Sequence, residues 1–444
     1  MKILHITDLF TPSIGGLESH VLTLVRERVR RAHDVSVVTL VKIDGQPSDD
    51  IEDNGFRVHR IDAGYTKFKR AWASLEKPYH PPFPDPFVAS SLRKIIESEK
   101  PDVVQAHNWM AYSYLSIKTA DCPPMLWMLH DHSLACPKET REYYRGDGTC
   151  PGASIRRCVP CSAAHYKRTK GTAVSLGLFG SNALLLRRAD KIVANSSAVA
   201  RRAEEAVGIR GSVEVVKNFV EDTLVEKADS VPRPAFLPED DDYILFVGGL
   251  GPHKGVEDLL VAHQLLGDDA PPLVVLGVSM SGQPTTWPPG VVVRENVPHA
   301  EVMAAWKHCR FAVVPSRWEE PRPLVATEAS TMGKAVIATK VGGIPEVVLD
   351  GETGILVPKC DPRALANAMR ALIGDPQRAA ALGAAGKRYA ATFTVSQAVS
   401  RFDKLLQDLV EAHRRRDHVI ASKVSIVAPK VSPRPAFNGG RYET

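Results

Sequence analysis

The chain has 444 residues, 44% of them hydrophobic and 24% charged, the profile of an ordinary folded protein with room for two or three domains. Its 56 basic and 51 acidic residues leave a net charge of +5, too little to argue for a nucleic-acid partner. No apolar run approaches the roughly 18 residues of a membrane-spanning helix, and Met1 leads straight into a strand pattern with no room for a leader, so a cytoplasmic protein is expected.

Residues 2–7, KILHIT, read as an apolar strand. Leu17, Val21, Leu24 and Val25 then keep helical spacing, so a helix starts near Gly16. Gly15 and Gly16 therefore sit at a strand-to-helix turn, where a ligand can approach backbone N–H groups. Taken alone, such a pair is only a tight turn. Further strands read at 35–40, 56–61, 102–107 and 124–131, with helical stretches such as 87–99 between them. That alternation is a parallel α/β sheet. Ligands bind such sheets beyond the carboxyl ends of the strands, where His107-Asn108 and His130-Asp131-His132 stand. The segment 65–86, rich in Lys, Arg, aromatics and Pro, is long and has no period, which suits either a plain surface loop or a cleft wall.

Four cysteines cluster as Cys136, Cys150, Cys158 and Cys161. A Cys-x2-Cys pair preceded by two more cysteines in a short polar loop fits a structural zinc site with four thiolate ligands. Redox disulfides or free thiols, and an iron–sulfur cluster, are the alternatives that the spacing leaves open. Cys122, Cys309 and Cys360 read as small core residues. A strand at 191–196 follows, and Ser196-Ser197 caps another helix. Residues 232–242 read as a polar linker whose Asp run precedes a strand instead of ending one, so it is read as solvated and no metal is assigned to it.

The second half again alternates strand and helix, with strands at 272–278, 291–297, 311–316 and 335–339. Pro323 suits the first position of a helix and Gly333 its end. Glu320 then lies in the strand-to-helix loop and Glu328 inside the helix, eight residues later. The N–H groups of Leu324 and Val325 are unpaired at the carboxyl edge of the sheet, where a phosphate is stabilised. Gly342-Gly343 lies in a second loop that opens another helix. Asp361-Pro362 starts one more. After Thr394 a periodic helix runs to about 415, and 416–444 reads as a mobile tail.

Glu320 and Glu328, the following Ala329, Gly333, and Gly342-Gly343-Ile344-Pro345-Glu346 all fall in one register. This resembles the Glu-x7-Glu signature of retaining glycosyltransferases of family 4, glycosyl transferases group 1, with the GT-B fold. Gly15-Gly16-Leu17-Glu18 and Lys254-Gly255 match two further motifs, so the resemblance covers about residues 1–415. It implies an α/β architecture of two Rossmann-like domains with parallel sheets facing a central cleft. The acceptor domain would span 1–217 with a Cys-rich insert at 133–168. The nucleotide-sugar domain would span 218–393, and 394–415 would cross back to the first.

In that family the helix N-terminus at Leu324 and Val325 faces the donor diphosphate, Glu320 contacts the sugar and Glu328 the ribose. Gly15 and Gly16 lie under the transferred sugar and leaving phosphate. His130 aligns with the histidine that contacts the sugar near the reacting carbon, and Lys254 neutralises the diphosphate. The sequence departs in three places. Gly249 replaces the family arginine, so a phosphate cation must come from Arg317, Arg322 or His253. Arg322-Pro323 stands where many relatives have Phe-Gly, which removes one N–H. Lys217, Phe219 and Glu221 surround the kept Asn218 in place of Pro, Gly and Asp.

The resemblance implies a metal-independent hexosyltransferase that moves a sugar, with retention, from a UDP or GDP sugar. The acceptor would be a hydroxyl or thiol of a glycan, a lipid-linked intermediate or a small molecule. Two other readings stand beside it: a GT-B phosphorylase, and a catalytically degenerate nucleotide-sugar-binding protein with structural zinc.

Overall fold

The computed structural model describes residues 1–11, 15–40, 49–52, 55–64, 79–145, 148, 150–268 and 270–427. Most of the basic and aromatic segment (65–78) and the last stretch of the expected tail (428–444) lie outside them. In the first half the strands are β1 (Lys2–Ile6), β2 (Asp34–Leu40), β3 (Asp49–Glu52), β4 (Phe56–Ile61), β5 (Val103–His107), β6 (Met125–Leu129), β7 (Lys191–Ala194) and β8 (Val213–Val215). They form one sheet in the order β3-β4-β2-β1-β5-β6-β7-β8, parallel except for β3, which pairs antiparallel with β4. The second half holds β9 (Ile244–Gly249), β10 (Leu273–Val278), β11 (Val291–Glu295), β12 (Phe311–Val314), β13 (Val336–Thr339) and β14 (Gly354–Val357). Their order is β11-β10-β9-β12-β13-β14, all parallel.

The central strands are mostly apolar because helices cover both faces of a parallel sheet, with His5 and Gln105 among the buried polar exceptions. Alternate residues feed opposite layers. Leu4, Ile6, Val104, Ala106, Met125, Trp127 and Leu129 enter one core. Ile3, Val103, Leu126 and Met128 enter another, against Val399, Phe402 and Leu406. Each Val, Leu, Ile, Phe or Met among them contributes about 1.5–3 kcal/mol by leaving water. Those last three residues belong to the helix Val395–Val427, which starts in the second half, packs on the first sheet and continues past 415. Where the chain crosses, the two segments brace each other: Val220 N–H donates to Phe393 O and Val395 N–H to Val220 O, both at 3.0 Å.

Three local expectations change. Pro323 caps the helix Leu324–Thr331 instead of opening it. The Gly342-Gly343 loop leads into a three-residue 3-10 turn, Ile344–Glu346, and not a helix. Cys360 is exposed, with φ 56°.

In the first sheet the chain goes β1, β2, β4 one way and resumes at β5 on the other side of β1. In the second it goes β9, β10, β11 and resumes at β12 beside β9. Crevices open at the carboxyl ends of β1/β5 and β9/β12, as topological switch points require.

Candidate functional site

β9 ends in Gly248-Gly249, and a 3-10 turn, Pro252–Lys254, follows. Gly255 closes that turn with φ +73°, and a Cβ there would lie 1.9 Å from Pro315 O. Only glycine lets the Lys254 turn press against the loop leaving β12. Lys254 Nζ consequently donates to both oxygens of Glu320, at 3.0 and 2.9 Å. The same carboxylate accepts from Ser316 Oγ at 2.9 Å and Trp318 Nε1 at 2.6 Å. The second glycine loop buttresses Glu320 from behind. Gly343 N–H donates to Glu320 O at 2.7 Å, while Cβ atoms at Gly342 and Gly343 would lie 2.1 and 2.0 Å from Glu320 O and Pro321 O. The glycine pair is there because backbone packs on backbone.

The helix Leu324–Thr331 has no side-chain cap, so its first N–H groups are unanswered. Leu324 and Val325 line a cleft of about 330 Å³ together with Gly16, His130, Gly249, Lys254 and Glu320. Gly15 lies just outside it, under the side chain of Glu18. Leu324 also lines an adjoining pocket that holds Glu328, His299 and His20. There His299 Nε2 bonds Glu328 Oε1 at 3.1 Å, and that bond raises the histidine pKa. Eight of the expected donor-side and catalytic positions thus gather on two joined pockets, and Gly15 borders them.

The space of the missing family arginine is filled by sulfur. A Cβ on Gly249 would meet Met280 Sδ at 2.4 Å. Of the three substitute cations, Arg317 is engaged by Asp258 through two bonds of 2.7 Å and by Glu257. His253 stands edge-on to Trp318, and burial pulls its pKa down to about 4, so it is neutral. Arg322 is buried and lines the cleft. Its Nη1 donates to Glu346 O at 3.1 Å and its guanidinium lies over the Phe393 ring, 4.3 Å from the centroid, while the buried Nε and Nη2 make no hydrogen bond among the described residues. Burial lowers its pKa to about 10, which still leaves it charged at neutral pH.

On the first-domain side, His130 follows β6, and its carbonyl accepts from Asn195 Nδ2 at 2.7 Å. Three acids lie nearby: Asp8, which is buried, and Asp131 and Glu139, which are partly buried; of these, the sequence reading picks out only Asp131. Asp8, beyond β1, accepts N–H groups of Met110 and His80, and burial pushes its pKa up to about 8. Burial also raises Asp131 and Glu139, and Asp131 lines the cleft. The strand-end position of Asp8 was the available signal, hidden by the apolar run before it.

Two acids of the second half join the domains. Glu319 accepts from Arg202 at 3.0 Å through both oxygens and from Arg141 at 3.1 Å, and its carbonyl faces His132 Nε2 at 2.8 Å. Glu346 accepts Ser197 and Ala198 N–H, both at 3.1 Å, capping the helix Ser197–Val207 with a carboxylate at its positive end. Asn218 Nδ2 donates to Arg322 O at 3.3 Å.

Cys136, Cys150, Cys158 and Cys161 line one small cavity with Lys138 and Arg157, and none is disulfide-bonded. Cys158 and Cys161 lie one turn apart on the helix Ile155–Tyr166. Among the described residues no group of three or more His, Cys, Asp or Glu is spaced to hold a metal ion. None of the described helices is long and apolar enough to cross a membrane.

The family model for glycosyl transferases group 1 matches residues 228–389, and the model for glycosyltransferase family 4 matches residues 14–224. A D-inositol 3-phosphate glycosyltransferase of Streptomyces avermitilis is 34% identical over 52% of this chain and 54% of its own length. One from Catenulispora acidiphila is 30% identical over 71% of this chain and 74% of its own. Among solved structures, sucrose-phosphate synthase from Thermosynechococcus elongatus superposes with a TM-score of 0.70 at 20% identity, covering 93% of this chain and 99% of that one. Anabaena HepE in complex with UDP-glucose superposes at 0.62 and 18% identity, covering 92% and 100%. Sequence and fold together show that this chain belongs to the group 1 glycosyl transferases, built on the GT-B arrangement of two Rossmann-like domains.

Proposed function

We propose that the chain transfers a sugar, with retention, from a nucleoside diphosphate sugar to a hydroxyl or thiol acceptor, without a catalytic metal. One observation carries the reading: Lys254, Glu320 and the uncapped N-terminus of the helix Leu324–Thr331 line one cleft, which adjoins the pocket of Glu328. The C1–oxygen bond to the diphosphate breaks with its electron pair on the phosphate oxygen. That growing charge is met by Lys254, by the Leu324 and Val325 N–H groups and by Arg322. The acceptor oxygen or sulfur bonds C1 on the same face and passes its proton to the leaving phosphate oxygen. Glu320, held by three donors, positions the sugar and does not attack it. Glu328 receives the ribose and Gly15-Gly16 the sugar-phosphate side.

Uridine or guanosine is the favoured base; a UDP-glucose complex of a structural neighbour supports the former. The acceptor, a glycan, lipid-linked intermediate or small molecule, enters over the first domain, and the cytoplasm, which holds the nucleotide sugars, is the favoured compartment.

A thermal-shift screen against UDP-, GDP-, ADP- and dTDP-sugars tests this. One nucleotide class at a hundredfold excess over its Kd adds about 2.7 kcal/mol, a rise of roughly 5–10 °C. Glu328→Ala abolishes the shift, and Arg322→Met weakens affinity roughly 10–100-fold through the loss of charged hydrogen bonds. No shift with any donor, together with phosphate-dependent cleavage of a glycoside, would make the protein a phosphorylase instead.

For the four-cysteine cavity we propose structural zinc, its thiolate charge offset by Lys138 and Arg157. Protein purified under reducing conditions is expected to carry about one zinc per chain. Metal-free protein in which all four thiols react freely would end that reading.

A further inference from the structure

A line of polar side chains runs through the first domain to the cleft. Asp403, on the helix Val395–Val427, lies 3.4 Å from Arg28 Nε. Arg28 Nη1 lies 2.8 Å from His5 Nε2 on β1. His5 Nδ1 lies 3.1 Å from His107 Nε2 at the end of β5, and His107 Nδ1 lies 2.8 Å from His130 Nε2 just after β6. The order β1-β5-β6 in the sheet places the three imidazoles side by side. Their rings lie edge to edge in near-parallel planes, with centroids 5.4 Å apart and planes 11° apart from His5 to His107, and 5.0 Å and 29° from His107 to His130. Arg28, His5 and His107 are fully buried, whereas His130 is partly exposed and lines the cleft.

A guanidinium donates and never accepts. His5 Nε2 facing Arg28 must therefore be bare, which puts the His5 proton on Nδ1. That proton points at His107 Nε2, which must be bare in turn, so His107 carries its proton on Nδ1. This proton occupies His130 Nε2, and the only place left for the proton of a neutral His130 is Nδ1. Adding a proton to any of the three sets two N–H groups against each other. Burial independently disfavours it, holding the pKa of all three well below the usual histidine value. His130 Nδ1 has no partner among the described residues.

We propose that Arg28, His5 and His107 are positioning residues that hold His130 in the single tautomer protonated on Nδ1, so that the cleft receives a hydrogen-bond donor there. His130 then donates to a sugar or phosphate oxygen of the donor and has no lone pair with which to deprotonate an acceptor. The second half of this statement rests on the donor reading above; the tautomer does not.

The test uses the full chain labelled with [15N]histidine, the His130 ring nitrogens being assigned by their loss in His130→Gln. Long-range proton–nitrogen correlation without ligand is expected to show a protonated Nδ1 and a bare Nε2 at His130. A proton on Nε2, or an average of the two forms, overturns the proposal. His107→Asn places an amide N–H where the Nδ1 proton was and keeps the His130 signature, whereas His107→Phe removes it and lets the tautomers mix. Should His107→Phe fail to fold, the wild-type and His107→Asn spectra still decide.

With UDP-glucose as probe and UDP as the sugar-free control, His107→Phe weakens UDP-glucose roughly tenfold relative to His107→Asn and leaves UDP unchanged. A purely structural role for His107 would move both ligands alike and overturn the proposal. Failure of the wild-type protein to bind either ligand would count against UDP as the donor nucleotide, with the tautomer result still standing.

Discussion

Lys254→Met is expected to slow release of nucleoside diphosphate roughly 10²–10³-fold, the cost of losing one preorganised group aimed at the charge of a transition state. The fall should appear in kcat more than in KM, since charge on the leaving phosphate grows only as the bond breaks. Stability should barely change. Lys254 is 24% exposed and Glu320 7%, and a partly exposed ion pair contributes at most about 1 kcal/mol. Glu320 also keeps its bonds from Ser316 and Trp318, so the variant does not strand a buried carboxylate. Steady-state release from the nucleotide sugar that stabilises the protein is the measurement, and an unchanged kcat would remove Lys254 from the chemistry. Lys254→Arg should recover part of the rate, because the charge returns but the longer planar group cannot take the same place between Glu320 and the cleft.

Gly342→Ala has the second large effect, and it reaches the site through the backbone. Gly342 has φ +53° and its Cβ would stand 2.1 Å from Glu320 O and 2.7 Å from Glu320 N. Left-handed strain and overpacking each cost about 1–3 kcal/mol, so the melting temperature should drop roughly 5–15 °C. Whatever relaxes the clash must move Glu320, so nucleotide-sugar stabilisation in the thermal-shift assay should disappear as well. Gly351→Ala is the control: its φ is +76° but nothing lies within 4 Å of the added carbon, so it pays the conformational cost alone and keeps donor binding. Equal losses in the two variants would mean that strain, and not contact with Glu320, explains the glycine.

The fold was largely legible because parallel strands covered on both faces leave mostly apolar runs, and the central strands of both sheets announced themselves that way. The positions that gather at the cleft were legible for a related reason. A helix start, a strand-end loop and two glycines at contact positions have residue preferences strong enough to mark them. What stayed hidden depends on neighbours distant in sequence. His5 reads as one polar residue inside a strand until β5 and β6 bring His107 and His130 alongside it. Nothing near Gly249 announces that Met280, in the loop after β10, fills the vacated space. Nor does local pattern reveal that the acids on the helix Val256–Gln264 engage Arg317 and leave Arg322 without an acidic side-chain partner among the described residues. β3 escaped notice because its four residues, DDIE, carry almost no apolar signal.

Glu319 and Glu320 are consecutive, yet they answer to different domains: one is gripped by Arg141 and Arg202, the other by Lys254. A single peptide unit is therefore shared between the ion pairs that join the two domains and a carboxylate that lines the cleft. By thermodynamic reciprocity, whatever immobilises one end raises the cost of releasing the other. If the sugar rests on Glu320 as proposed, donor binding and the Arg141–Glu319–Arg202 contact stabilise one another, and loosening either weakens both.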